Sequence, residues 1–259
     1  VPYTTIKVTT NGPVGLITLA RPGAGNTITS LMAQEMAEAF QSMADDDGIL
    51  AVVLTGDGTS FSLGADPAEP PPHSLEELEA FLASHQASER AANLEKPIIA
   101  AVNGPCLGQG LELALACDLR VASQTATFAM PQLAHEGRIP WDGGTQRLPR
   151  VVGRAAALDL LLTGRTIDAQ EALRLGLVNR VVEPTGLLEH ATKLAQQIAE
   201  YAPISVRYVK EAVHKGLDVT LEQGLRLEGD LYFILQTTED RDEGIRSFLE
   251  KRKPQFKGK

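Results

Sequence analysis

Cysteine, histidine and aromatic residues are all scarce in this chain of 259 residues. It has two cysteines, five histidines and one tryptophan, and aromatic residues make up only 5%. Cys106 and Cys117 stand in apolar surroundings, so free buried thiols are a better reading than a disulfide. No Cys/His cluster has the spacing of zinc ligands, and no metal site is expected. No apolar run is long enough to cross a bilayer and no secretion signal is visible, so the expectation is a cytoplasmic protein without a membrane partner. Basic residues are also in deficit, 24 against 33 acidic, for a formal charge of −9. That balance argues against a nucleic-acid partner, because phosphate backbones are neutralised by Lys and Arg. A small anionic ligand held by a local cationic patch remains compatible with it. Nucleotide signatures are missing too: GDGTSFSLG (56–64) lacks the P-loop lysine, and LGQGLE (107–112) lacks the full dinucleotide spacing.

The length is enough to bury a sizeable core. TTIKVTT (4–10) and VGLITLA (14–20) read as strands joined by the NGP turn. Residues 30–46 carry apolar side chains at helical spacing, with Ser30 placed as the N-cap. ILAVVLTG (49–56), KPIIAAVNG (96–104) and LRVAS (119–123) read as further strands, and 76–94 and 110–118 as helices. Alternation of helices with continuous apolar strands predicts an α/β core. After RVVEP (180–184) no strand is predicted; 187–200, 203–216, 220–239 and 240–253 read as successive helices. The chain is therefore divided into a core, 1–185, and a helical region, 186–259, of a kind that serves docking or assembly.

Three stretches carry chemistry. SFSLGAD (60–66) and CLGQGLE (106–112) are small-residue turns at strand ends, where two converging backbone N–H groups would stabilise a developing negative oxygen. Glu112 interrupts an otherwise apolar helix, and a charge there is costly unless paired or functional; a first-turn carboxylate favoured by the helix dipole is the alternative. The third stretch is MPQLAHEGRIPWDGGTQRLPR (130–150). His135 and Glu136 read either as solvated loop residues or as acid–base groups, and Arg138 as a local partner of Glu136. Trp141 reads as a packed wall or a substrate platform. Asp142 reads as the N-cap of the following helix or as an acid–base group. PAEPPPH (67–73) reads as a surface turn in which His73 approaches a ligand only if it is not simply exposed.

Six pieces, in order, carry a family resemblance: RPGAGNTI (21–28), FSLGAD (61–66), KPIIAAVNGPCLGQGLELALACD (96–118), GGTQRLPRVVG (143–153), LLLTGRTIDAQEALRLGLVNRVV (160–182) and EKRKPQFK (250–257). Over nearly its whole length the chain resembles the enoyl-CoA hydratase/isomerase, or crotonase, superfamily. The resemblance implies a crotonase-like spiral of ββα units with a C-terminal helical trimerisation region, as a homotrimer or a hexamer built as a dimer of trimers. It implies an acyl-CoA substrate, with no cofactor beyond the coenzyme A moiety of that substrate.

Carried over residue by residue, the resemblance matches the N–H groups of Ala65 and Gln109 to the oxyanion hole, with Gln109 standing where a glycine is usual. It matches Glu112 to the first of two catalytic glutamates. The second falls on Gln132, whose amide can orient water or substrate but cannot act as a general acid or base. Asp142, Glu136 and His135 are the candidates to replace it, with Gln132 and Trp141 in the substrate pocket. Arg21 and Ala24 lie in the loop matching the CoA contact, and Phe256 and Lys257 match residues that reach the nucleotide from a neighbouring subunit. Hydration of an enoyl-CoA or alicyclic enoyl-CoA is the leading expectation because Glu112 is retained. Double-bond isomerisation, C–C bond hydrolysis of a β-diketone and non-catalytic acyl-CoA binding stand as alternatives.

Overall fold

In a computed structural model, residues 3–69, 72, 74–84 and 87–259 are described; His73 lies outside them. The NGP turn folds β1 (Ile6–Asn11) back antiparallel onto β2 (Val14–Leu19), Ile6 opposite Leu19. Then come α1 (Ser30–Asp45), β3 (Ala51–Gly56), α2 (Leu75–Ser84), α3 (Ala87–Ala92), β4 (Ile98–Val102), β5 (Cys106–Leu107), α4 (Gln109–Ala116) and β6 (Leu119–Ser123). Next are β7 (Thr127–Ala129), α5 (Gln132–Glu136), α6 (Gly144–Val152), α7 (Arg154–Thr163), β8 (Ile167–Asp168), α8 (Ala169–Arg174) and β9 (Arg180–Val182). Four helices end the chain: α9 (Leu187–Ala199), α10 (Pro203–Gly216), α11 (Leu221–Leu235) and α12 (Glu239–Leu249).

The large sheet has the order β1-β2-β3-β4-β6-β9 and is parallel from β2 onward; a small sheet has the order β5-β7-β8. Twice, a strand of the large sheet is followed by a strand of the small one and then a helix, as β4–β5–α4 and β6–β7–α5. Each such ββα unit steps the chain from one sheet to the other. The small-sheet strands are two or three residues long, too short to leave a periodic pattern, and the sequence does not predict them.

Strand side chains alternate between the two faces of the large sheet. Val52, Leu54, Ile98, Ala100 and Val102 join one cluster with α1 and α4. Ala51, Val53, Ile99, Ala101 and Val121 join a second with Leu187, Ala191 and Ala195 of α9. Both faces are covered, which accounts for strands apolar at every position. α9 therefore belongs by packing to the sheet, although it follows the last strand.

One local reading changes. α1 is capped by Thr29, not Ser30: Thr29 is extended and its side chain accepts from the Met32 N–H. Ser30 instead donates from N and Oγ to Glu69.

α4 is fastened at its C-terminal end by Arg120 of β6, a buried guanidinium. Its Nη1 donates to Ala114 O at 3.2 Å and Cys117 O at 2.7 Å, and its Nε to Leu177 O at 2.7 Å. A cation thus meets the Cys117 carbonyl, which the helix end does not satisfy itself. Arg120→Leu is expected to lower unfolding free energy by about 2–4 kcal/mol, since it strands Cys117 O and Leu177 O while Ala114 O keeps the Cys117 N–H; urea denaturation measures this.

Candidate active site

Two loops meet where glycines remove the side chains between them. Ile28 N–H donates to Gly64 O, and Asp66 N–H to Ile28 O, pairing Ile28 with Ala65. Ala65 N–H takes no part in this bridge and has no acceptor among the described residues. Gly64 has φ 104°, and a Cβ there would lie 3.1 Å from Leu107 O and 3.4 Å from Gln109 N. Gly108, with φ 50° and ψ −123°, precedes α4. Gln109 is the first residue of that helix. The backbones at 64–65 and 108–109 are thereby brought side by side, a contact only glycine permits at both 64 and 108.

Glu112 follows Gln109 by three residues, on the same face of α4, and is completely buried. Its Oε1 accepts from Asp142 N at 2.9 Å and from Gly144 N, the first residue of α6, at 2.7 Å. A Cβ on Gly144 would come within 3.0 Å of that oxygen, so the glycine makes the approach possible. Oε2 has no partner among the described residues. Burial, reinforced by the neighbouring Asp142 carboxyl, raises the Glu112 pKa from near 4.5 to about 7, against the pull of the two N–H groups. Desolvation has put a carboxyl where it exchanges protons at neutral pH.

Asp142 is not the N-cap of α6. The helix starts at Gly144 and is preceded by Gly143, with no side-chain cap. The Asp142 side chain turns instead to α3 and α4: Oδ2 accepts from Ser88 Oγ at 2.7 Å and from Gln109 Nε2 at 3.3 Å. Burial raises its pKa to about 6, with those donors and the Arg147 charge opposing. Two buried carboxyls, Glu112 and Asp142, thus sit together, both shifted toward neutrality. Gln132 lines the same region. It is buried, its Nε2 faces Gly108, and its Oε1 has no partner among the described residues.

His135 and Glu136 are not brought to this cluster. α5 buries only Gln132 among its residues and closes at Gly137, which is left-handed; His135 and Glu136 face outward, and Glu136 pairs with Arg138. Trp141 is half-buried and packs on Phe81 of α2, ring centroids 5.0 Å apart, as an aromatic wall. Arg21 Nη1 donates to Asp66 Oδ2 and to Thr27 O, both at 2.7 Å, bracing the 21–28 loop, and Ala24 is exposed on it. Phe256 and Lys257 lie on a terminal segment tied to α12: the N–H groups of Lys257 and Gly258 donate to the Asp240 carboxylate. Among the described residues, no three His, Cys, Asp or Glu side chains form a metal cluster. Ser88 is the residue that sequence reading missed, because its position within an expected helix carries no sign of a carboxyl from 54 residues away.

The enoyl-CoA hydratase/isomerase family model matches residues 9–259. A probable enoyl-CoA hydratase of Rhizobium meliloti is 45% identical, covering 98% of each chain. The (E)-benzylidenesuccinyl-CoA hydratase of Thauera aromatica is 41% identical over 95% of this chain and 96% of its own. A crystal structure of enoyl-CoA hydratase subunit I from Geobacillus kaustophilus superposes with a TM-score of 0.94 at 42% identity, covering 99% of each chain. Two sheets joined by ββα units, glycine-opened loops beside a buried glutamate, and matches along nearly the whole length lead to one conclusion: the chain belongs to the enoyl-CoA hydratase/isomerase family, enzymes of the crotonase fold.

Proposed function

We propose that this enzyme hydrates an enoyl-CoA thioester using Glu112 and Asp142 as its acid–base pair. The observation that carries the reading is the second buried carboxyl: Asp142 donates its own N–H to Glu112, whereas Gln132 offers only an amide. The pair works with one proton between its members; that proton favours Glu112, so the working form, with the proton on Asp142 and Glu112 ionised, is the minor tautomer of the pair. Glu112 takes a proton from water as the water oxygen attacks Cβ, and the thioester becomes an enolate. The N–H groups of Ala65 and Gln109 meet the enolate oxygen. Asp142 returns a proton to Cα, and the pair recovers its starting state by passing the Glu112 proton on through solvent. The sum is addition of one water across the double bond.

Acyl groups bearing a ring fall within the proposed range. The Trp141–Phe81 wall supports this, as does the 41% identity to a hydratase named for a benzylidene-bearing thioester. Arg21 and Ala24 are proposed to border the coenzyme A moiety, with Phe256 and Lys257 supplied by an adjoining subunit of a homotrimer or hexamer. Apolar side chains left exposed on the C-terminal helices, among them Val209, Leu221, Leu225, Phe233 and Phe248, support such an assembly, since monomers rarely expose so much apolar surface.

The deciding experiment supplies crotonyl-CoA and cyclohexene-1-carbonyl-CoA in heavy-oxygen water. A 3-hydroxyacyl thioester carrying the heavy oxygen is expected. A shifted double bond without oxygen uptake would point to an isomerase, and a ring-opened acid from a cyclic β-diketone to C–C hydrolysis; either as the sole product sinks the reading. Glu112→Gln should lower kcat at least about 10²-fold while thioester binding is retained. Ala65→Pro, which removes one N–H but neither bond of the Ile28 bridge, should lower kcat by about 10²–10³-fold.

pH dependence follows from the pair. Below about 6 both carboxyls are protonated and no base remains; above about 7 both are ionised and no acid remains. kcat/KM should therefore be bell-shaped, its limbs belonging to the pair as a whole. In Asp142→Asn only Glu112 titrates, so the bell should become a single rise with pH at a rate reduced by about 10²-fold.

A further inference from the structure

The Asp142 carboxyl is held from two helices. Ser88 Oγ from α3 and Gln109 Nε2 from α4 both donate to Oδ2, at 2.7 and 3.3 Å, the Ser88 main chain adds a further donor, and all three residues are buried. Gln109 is also the residue whose main chain opens α4 beside Gly64. Its N–H and its side-chain amide thus serve two places at once. A glycine at this position has no side chain with which to make the second link.

We propose that Gln109 is a positioning residue: its side-chain amide, together with Ser88, holds the Asp142 carboxyl in place for proton transfer, while its N–H serves the thioester oxygen. This inference rests on the reading of Asp142 as the second acid–base group. The groups facing Asp142 are Ser88 from α3, Gln109 and Glu112 from α4, and Arg147 from α6. The two donors and the Arg147 charge favour its ionised form; an ionised Glu112 opposes it. Deleting a donor to Oδ2 favours the protonated form, and setting another carboxylate beside it does so more strongly.

The test compares kcat and KM against pH for Gln109→Ala, Gln109→Glu, Ser88→Ala and Asp142→Asn in the full-length enzyme. Gln109→Ala keeps the N–H. It should move the acid limb up by about half a pH unit and lower kcat about tenfold at nearly unchanged KM. Gln109→Glu, the same size but charged, should move that limb further. Ser88→Ala should move it in the same direction, and provides the reading if a Gln109 variant does not fold. Combined with Asp142→Asn, Gln109→Ala and Ser88→Ala should leave the single remaining rise, which belongs to Glu112, in place. If Gln109→Glu behaves as the parent, or if Gln109→Ala raises KM and leaves the limb in place, Gln109 merely fills the pocket and the proposal is overturned, with the Asp142 reading intact. If Asp142→Asn alone leaves kcat and the profile unchanged, both fall.

Discussion

A carboxyl group buried without a counter-ion is the constraint on which the site depends. Glu112 sits inside a helix with every residue buried, and it is held by two main-chain N–H groups at the entry to α6 rather than by a cation. Such an arrangement compensates burial only in part, which is why the carboxyl titrates near neutrality instead of near 4.5. Much of the nearby structure serves it. Arg120 secures the far end of α4, and Gly144 lets the main chain of α6 approach. The same donors place Asp142 next to Glu112, so fixing the first carboxyl also places the second.

The glycines have a related purpose. Gly64 and Gly108 adopt backbone conformations that side chains resist; a Cβ on Gly64 would crowd Leu107 of the facing loop, and one on Gly108 the Gln132 amide. Their reward is close approach of the main chains at 64–65 and 108–109. The proposed oxyanion role of the N–H groups at 65 and 109 needs no particular side chain at either position. Position 109 is therefore free to carry glutamine, and its amide reaches Asp142.

Much of the architecture was legible in the sequence because it rests on local pattern. The runs around 49–56 and 96–104 announced buried strands, and the four C-terminal helices fell close to their expected positions. The short strands at 106–107, 127–129 and 167–168 were not legible, since elements of two or three residues have no period. Thr29 displaced Ser30 as a cap because both residue types suit that role, and only the backbone conformation decides between neighbours.

Within the site, the sequence by itself determined the ingredients: a lone carboxylate in an apolar helix, glycine turns at strand ends, and an amide at 132 where the family resemblance expects an acid. Tertiary structure separated Asp142 from His135 and Glu136 in position. α5 turns His135 and Glu136 toward solvent, whereas the turn before α6 carries Asp142 inward to Ser88 and Gln109. Those partners lie 54 and 33 positions away along the chain. No local spacing encodes such contacts; they exist only once α3, α4 and α6 are packed against one another.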